Sequence, residues 1–195
     1  MREHIANTVY LSDDRSLPVS DKPYRYPINS MLSQIVNTED ELKIILLIKK
    51  DGNTFYEKNT QDYKQEIEDI CKTTGAKTEF VSIDTAFSQE KENHEQLMKR
   101  LVDEIDVGAH IMVDITYGPK DLPIVIFSAL NFAEKFLNCE IDNIVYGQAA
   151  FKDDKVVGST ICDMIPLYCL SSVTNTIKCD NPEKARQMLE SLLEL

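Results

Sequence analysis

One short stretch of the sequence, residues 114–120, combines several groups that could bind a phosphate. It reads Asp-Ile-Thr-Tyr-Gly-Pro-Lys. Gly118 lets a backbone approach a ligand closely, Thr116 offers a hydroxyl, and Lys120 supplies a cation. A helical pattern starts at Leu122, and the N–H groups at a helix start attract anions. These properties are typical of a phosphate-binding turn, although an ordinary strand–helix turn with a threonine or aspartate N-cap explains the same residues.

The segments around this loop alternate between short apolar runs, which predict strands, and longer stretches with helical periodicity. The predicted strands cover residues 8–12, 43–48, 78–83, 110–115 and 141–148, and residues 155–159 form a short hairpin partner. The predicted helices cover residues 27–36, 60–74, 88–105, 122–137, 163–173 and 182–195. Pro27 and Pro182 fit the first turn of a helix, Asn181 is the predicted N-cap of the last helix, and Gly75 is the predicted C-cap after residues 60–74. Residues 43–48 are continuously apolar, which indicates a parallel strand buried on both faces.

This alternation predicts an α/β fold: a Rossmann-like, mainly parallel sheet with helices on both faces. We expect a single domain over residues 1–195, with its core in residues 6–150 and a C-terminal hairpin and helices in 151–195. Ligands of such sheets bind outside the carboxyl ends of the strands. Two loops are therefore candidates for a site, the one after residues 8–12 and the one after residues 110–115. The spacing of a P-loop and that of a dinucleotide fingerprint are both missing.

The pattern Asp114-x-Thr116-x-x-x-Lys120 resembles the D-x-[ST]-x-x-x-[RK] motif of CARF domains, the CRISPR-associated Rossmann folds. The resemblance extends over residues 109–151, where the chain is similar to a branch that reads roughly DITHG-[FP]-R-x-LP, a long apolar helix, and IxYG. It covers the N-terminal half only through strand order. Lys120 stands where that branch usually has arginine, and Tyr117 replaces its usual histidine, which leaves the role of that side chain open.

The resemblance implies that the chain is a homodimer that binds one cyclic oligoadenylate across its two-fold axis. Thr116, Gly118 and Lys120 would contact the ligand, and Asp114 would orient the loop. Further ligand-binding positions implied by the resemblance, or by proximity to the two loops, are Leu11, Asp13, Arg15, Tyr117, Pro119 and Gln148. The cations of the loop after residue 12 could neutralise phosphates, or they could be solvated surface charge.

Members of this family usually have an effector domain after the CARF domain. The residues after 150 show no pattern of such a domain, so the chain resembles the stand-alone members. These include ring nucleases, in which the ribose 2′-OH attacks the adjacent phosphodiester without a metal or other cofactor. Lys120 would stabilise the charge, and Ser12 or Thr116 would position the 2′-OH, although Ser12 could simply cap local backbone. Two alternatives stay open: a sensor that binds the ring and signals to a separate partner protein, and a subunit with no cyclic nucleotide ligand. Cyclic tetra-adenylate is the expected ring, although the sequence does not fix the ring size.

The composition narrows the class of partner. The chain of 195 residues has 33 acidic and 21 basic side chains, a net charge of −12. Polymeric nucleic acid and anionic membranes are therefore not expected partners, because both need a basic face. Five cysteines without a CxxC pair and three scattered histidines predict reduced thiols and no metal site. No signal sequence or membrane-spanning run is evident, so we expect a cytoplasmic protein.

Overall fold

The computed structural model describes residues 5–12, 17–49, 54–85, 91–152 and 155–193. The chain divides into two compact units, Met1–Asp163 and Met164–Leu195. The C-terminal hairpin belongs to the first unit, because its second strand pairs along its length with the strand before it. Asp13 and Arg15, two of the predicted ligand-binding residues, lie outside the described residues.

The described residues of the first unit form four helices and five strands, and most of these match the predicted segments. Its helices are α1 (Pro27–Ile35), α2 (Thr54–Thr74), α3 (Lys91–Glu104) and α4 (Leu122–Phe136). Its strands are β1 (Glu41–Lys49), β2 (Lys77–Thr85), β3 (His110–Asp114), β4 (Glu140–Lys152) and β5 (Lys155–Asp163). Gly75 ends α2 with a positive φ of 85°, and its N–H donates to the Cys71 carbonyl at 2.7 Å, as the sequence predicted for a C-cap.

The strands form two sheets rather than one continuous sheet. β1 and β2 pair in parallel with Glu41 opposite Lys77. β3 and β4 pair in parallel with His110 opposite Glu140, and β5 returns antiparallel to β4. The α/β class is confirmed, and both β-helix-β units have parallel strands. The expectation of one mainly parallel sheet is not met, because β1 and β3 do not pair with each other.

A cleft of about 1100 Å³ lies between β1 and β3, and both strands line it along their length. Every residue of β1 after Glu41 is therefore only half-buried. The prediction that residues 43–48 are buried on both faces is wrong for this arrangement, because one long edge of the strand borders open space.

The helices form two layers. α1 and α2 share one core with Val145 of β4, Ile161 of β5 and Tyr10. α3 and α4 contact each other and contact β2 and β4. Ile144 is fully buried next to Val145 in the chain, and adjacent side chains of a strand point to opposite faces. Its burial therefore indicates a second core on the face opposite α1, which α3 and α4 cover.

The predicted first strand, residues 8–12, is not a strand of either sheet. Thr8 forms an antiparallel bridge with Tyr24, and Leu11 forms a parallel bridge with Thr160 of β5. Four backbone hydrogen bonds hold this segment, two with Tyr24 and two with β5. The strong strand propensity of these residues is thus used at an edge of the β3–β4–β5 sheet and not inside it.

The second unit consists of two helices, α5 (Ile165–Thr176) and α6 (Pro182–Leu193). Pro182 occupies the first position of α6, and the Lys184 N–H donates to Asn181 Oδ1 at 3.0 Å. Asn181 is therefore the N-cap that the sequence predicted. Among the described residues of both units, no helix combines the length and the apolar character needed to cross a membrane.

Candidate functional site

Two hydrogen bonds of Thr116 hold the start of the loop after β3. The Thr116 N–H donates to Asp114 Oδ1 at 2.8 Å, which closes a tight turn at the end of β3. Thr116 Oγ1 accepts the Gly147 N–H of the neighbouring strand at 2.7 Å. The aspartate and threonine of the motif therefore tie the carboxyl end of β3 to the middle of β4, and this bond sets where the rest of the loop begins.

The pKa of the Asp114 carboxyl group is subject to opposing effects, of which burial is the larger. Burial raises its pKa, while hydrogen bonds from the Thr116 side chain and from the N–H groups of Thr116 and Ile28 counter that shift. Because Thr116 uses its hydroxyl on both Asp114 and Gly147, the arrangement favours a positioning role for this side chain. Orientation of the loop by Asp114, which the resemblance implied, agrees with these contacts.

Gly147 is packed too tightly for any side chain. A Cβ at this position would lie 2.2 Å from Pro27 Cγ and 3.2 Å from Thr116 Oγ1. Pro27 is the first residue of α1 and is fully buried. The start of α1 thus sits against the middle of β4, at the level of the carboxyl end of β3 and next to the Asp114–Thr116 turn.

Gly118 is required by its backbone conformation. Its φ is +125°, a region that residues with a side chain rarely adopt. An added Cβ would also lie 2.6 Å from Leu122 Cδ2 in α4. The glycine therefore lets the loop pass over the first turn of α4, and it leaves the backbone of residue 118 exposed.

The start of α4 has fewer N–H groups available to bind an anion than the sequence suggested. The N–H groups of Leu122 and Ile124 donate to the carbonyls of Pro119 and Asp121, and Pro123 has no N–H. Asp121 does not cap the helix with its side chain; its carboxylate instead contacts His94 Nε2 of α3 at 2.5 Å. An anion here would depend on the loop backbone and on Lys120 more than on the helix start.

Lys120 is exposed at the end of this loop. In the part of the chain that the structure describes, no acidic side chain forms an ion pair with it. Arg25 differs, because its guanidinium lies 3.3 Å from Glu66 Oε1 and 4.0 Å from Asp62 Oδ2. Arg25 was a possible phosphate contact from the N-terminal loop, and it is instead occupied by carboxylates of α2.

Tyr117 points into a cluster of four tyrosines, which we call the tyrosine cluster: Tyr10, Tyr26, Tyr63 and Tyr117. The rings of Tyr26 and Tyr117 meet edge to face at 5.9 Å, and those of Tyr26 and Tyr63 at 4.8 Å. Tyr10 donates to the Arg25 carbonyl at 2.9 Å.

Each phenol of the tyrosine cluster stays protonated over the physiological range. Burial is the largest cause and raises the pKa of all four hydroxyls well above the usual value. Nearby carboxylates, Asp114 among them, raise it further. Neutral phenols at the end of β3 can donate hydrogen bonds and cannot serve as bases.

The residues expected from the first loop are not beside the Asp114–Lys120 loop in the sheet. Leu11 pairs with β5, so β5 and β4 separate it from β3. Its side chain is 63% exposed, and Ser12 is half-buried. Gln148 is exposed and lies opposite Thr160, the residue with which Leu11 forms its bridge. Leu11 and Gln148 are thus near each other along the sheet, and Ser12 directly follows Leu11 in the chain. The predicted residues from Asp114 to Lys120 lie at the end of β3.

One cluster could hold a metal ion that the sequence did not suggest. His110, Glu140 and Asp142 place one ligand atom each within 4.8 Å of one another. The pairing of His110 with Glu140 across β3 and β4 brings them together. All three are exposed, and an ordinary ion pair between His110 Nδ1 and Asp142 Oδ1 at 3.2 Å explains the contact. The histidine is remote from both carboxylates in sequence, so spacing gave no signal of it.

Sequence reasoning missed Gly147 and the tyrosine cluster as parts of the site. A glycine inside the predicted strand 141–148 was a usable signal for Gly147, because such a glycine often marks the close approach of another part of the chain. Nothing in the spacing of the four tyrosines indicated that they would meet. Compared with known proteins, the chain matches no family model, and no curated protein is similar to it in sequence.

Proposed function

We propose that this protein resembles CARF domains in function: it binds a cyclic oligoadenylate across a homodimer and cleaves it as a metal-independent ring nuclease. The observation that carries the proposal is the loop after β3, where Gly118 exposes backbone and Lys120 supplies a cation that is not paired with a described carboxylate. In a chain of net charge −12, a phosphate ligand needs such a local exception.

The proposed reaction requires the protein mainly to position the 2′-OH and to stabilise negative charge on the phosphate. The 2′-oxygen forms a bond to phosphorus while the P–O5′ bond breaks, which yields a 2′,3′-cyclic phosphate and a 5′-OH. Lys120 is proposed to stabilise the charge that builds on the phosphate oxygens. Ser12 is proposed to orient the 2′-OH for in-line attack, a role that requires this residue to leave its position beside β5 and to lie next to the loop after β3. Thr116 and Asp114 support this step by fixing the loop, since their hydrogen bonds are made within the protein.

The test is a cleavage assay with radiolabelled cyclic tetra-adenylate and cyclic hexa-adenylate in EDTA, with the products separated by chromatography. We expect linear products with a cyclic phosphate end from the wild type and at least a tenfold slower rate from Lys120→Ala. The matched control is Lys135→Ala, which removes the same charge from the last turn of α4. Because α4 has 15 residues and a helix rises about 1.5 Å per residue, the control charge lies far from the loop.

Three outcomes would contradict parts of the proposal. Tight binding with no product after hours would favour the sensor and reject the nuclease. Equal loss of activity in Lys120→Ala and Lys135→Ala would assign the effect to total charge and not to the loop. No binding of either ring would reject the cyclic nucleotide ligand altogether. Light scattering tests the assembly, for which we expect a dimer, and a monomer with and without ligand would contradict a shared site.

A further inference from the structure

The cleft between β1 and β3 has the properties of a missing position in a sheet. β1 pairs on one side with β2, and β3 pairs on one side with β4, so each strand has one long edge that borders the cleft. Unpaired strand edges carry N–H and C=O groups that need partners. A lipid or another apolar ligand would match the aliphatic lining, but it would leave those backbone groups unpaired. A third strand would satisfy both requirements.

The positions of the helices indicate which part of the chain fits there. From β1 to β2 the chain crosses through α2, and crossovers between parallel strands are right-handed. α1 leads directly into β1 and shares the core on the α2 face. A right-handed crossover through α1 on that face must start on the side of β1 away from β2. That side is the cleft.

The other two crossovers agree with this geometry. The chain passes from β2 to β3 through α3 and from β3 to β4 through α4, in the opposite direction across the sheets. These two helices pack against each other in the layer opposite α1 and α2. A strand in the cleft would give the order third, second, first, fourth and fifth along the chain, which is the order of doubly wound sheets.

We infer that residues 8–12 insert into the cleft as a strand parallel to β1 and β3, and that the position beside β5 is an alternative resting place. This is the predicted strand that precedes α1. α1 begins against Gly147, which lies in β4 two residues beyond the partner of the last residue of β3; a strand parallel to β1 and β3 would deliver the chain to this level of the sheet. Ser12 would then end beside the loop that starts at Asp114.

The present position of this segment is less favourable than the cleft in two respects. Val9 is 41% exposed and Leu11 63% exposed, although both are large apolar residues. The segment makes four backbone hydrogen bonds beside Tyr24 and β5. A central strand pairs the N–H and the C=O of every residue, so five residues would make about ten. Insertion would also bury the side chains of Val9 and Leu11, because helices cover both faces of a central strand.

The test is hydrogen exchange by mass spectrometry on the full chain without ligand, so it does not depend on the proposed function. Val9→Pro removes an N–H that a central strand needs. Among the described residues the Val9 N–H makes no hydrogen bond in the position beside β5, so the substitution discriminates between the two positions. Val9→Ala is the matched control, since it shortens the side chain and keeps the N–H.

If the segment inserts, amides of β1 and β3 that point into the cleft are protected in the wild type. They exchange at least tenfold faster in Val9→Pro and within about threefold of wild type in Val9→Ala. Amides of β5 and α2 serve as the internal reference, because loss of the whole fold would release them too. Fast exchange at the cleft in the wild type would overturn the inference, since the cleft then stays open. Protection that survives Val9→Pro would overturn it as well, since β1 and β3 then close on each other or on a bound molecule. If Val9→Pro fails to fold, Val9→Lys takes its place, because a lysine fits the 41% exposed position beside β5 but not a central strand that is covered on both faces; protection at the cleft equal to that of the wild type would then count against insertion.

Discussion

Gly147→Ala tests whether the contact between α1 and the middle of β4 holds the candidate site together. The new methyl carbon would lie 2.2 Å from Pro27 Cγ and 3.2 Å from Pro27 Cβ. Favourable contacts between carbon atoms are about 3.5–4.0 Å long. Pro27 is a rigid ring at the first position of a buried helix, so it cannot rotate away. Either α1 or β4 at Gly147 must move by roughly an ångström or more.

The expected cost has two parts. Overpacking of a well-packed interior costs about 1–3 kcal/mol. A shift of β4 also stretches the 2.7 Å hydrogen bond from the Gly147 N–H to Thr116 Oγ1, and a buried hydrogen bond contributes about 1 kcal/mol. We therefore expect the free energy of unfolding to fall by roughly 2–4 kcal/mol. For a unit of this size that corresponds to a drop in Tm of roughly 4–15 °C.

Urea unfolding followed by far-UV circular dichroism measures this change, and Gly158→Ala is the control. Gly158 lies on β5 with a φ outside the left-handed region, and a Cβ there would meet no atom within 4 Å. The control should change stability by less than about 0.5 kcal/mol, or raise it slightly through the entropy of the unfolded chain. A Gly147→Ala protein as stable as Gly158→Ala would refute the reasoning, because α1 would then not be seated against β4.

Two further predictions concern side chains at the two ends of β3. Thr116→Val removes the hydroxyl that accepts the Gly147 N–H and keeps the methyl group, so it should cost about 1–3 kcal/mol in urea unfolding. Thr116→Ser keeps the hydroxyl and should cost less than half as much. A Thr116→Val protein as stable as Thr116→Ser or more stable would contradict a stabilising role for this hydrogen bond. The pKa of His110 is raised, first by its hydrogen bond to Asp142 and then by the charges of Asp142 and Glu140. The stabilising effect of the charged imidazole is therefore complete below the unfolded pKa of about 6.5, and it is lost as pH rises through the higher folded pKa. NMR titration should find the pKa of His110 closer to 6.5 in Asp142→Asn, and an unchanged value would contradict the contact.

Local patterns predicted the helices well, because their signals are contained in a few turns. Pro27 and Pro182 mark helix starts, and Gly75 marks the end of α2. The Asp114–Lys120 loop was also predictable, since a strand, a glycine and a helix follow one another within a few residues. α2 begins earlier than predicted, at Thr54, where the polar sequence gives no apolar periodicity to detect.

The sequence could not predict features that depend on which strands become neighbours. The contact between Thr116 and Gly147 joins residues 31 apart, and the cluster of His110, Glu140 and Asp142 depends on the register of β3 against β4. Arg25 reads as a free cation in the sequence, whereas the fold brings Glu66 to it from 41 residues away. The segment at residues 8–12 shows the same limit: its strand propensity was plain, but propensity does not name the strand beside which it lies.

The tyrosine cluster gives this protein an optical property of its own. The chain contains eight tyrosines and no tryptophan, so light absorbed by a phenol ring is not passed on to an indole. Half of its tyrosines are therefore concentrated in one group at the start of α1. Tyr10 of this group donates a hydrogen bond to the Arg25 carbonyl and lies within the electrostatic influence of Asp114. Any event that moves the loop after β3 changes the surroundings of these rings. The unlabelled wild-type protein thus carries its own fluorescent reporter at the edge of the sheet where the proposed ligand would arrive.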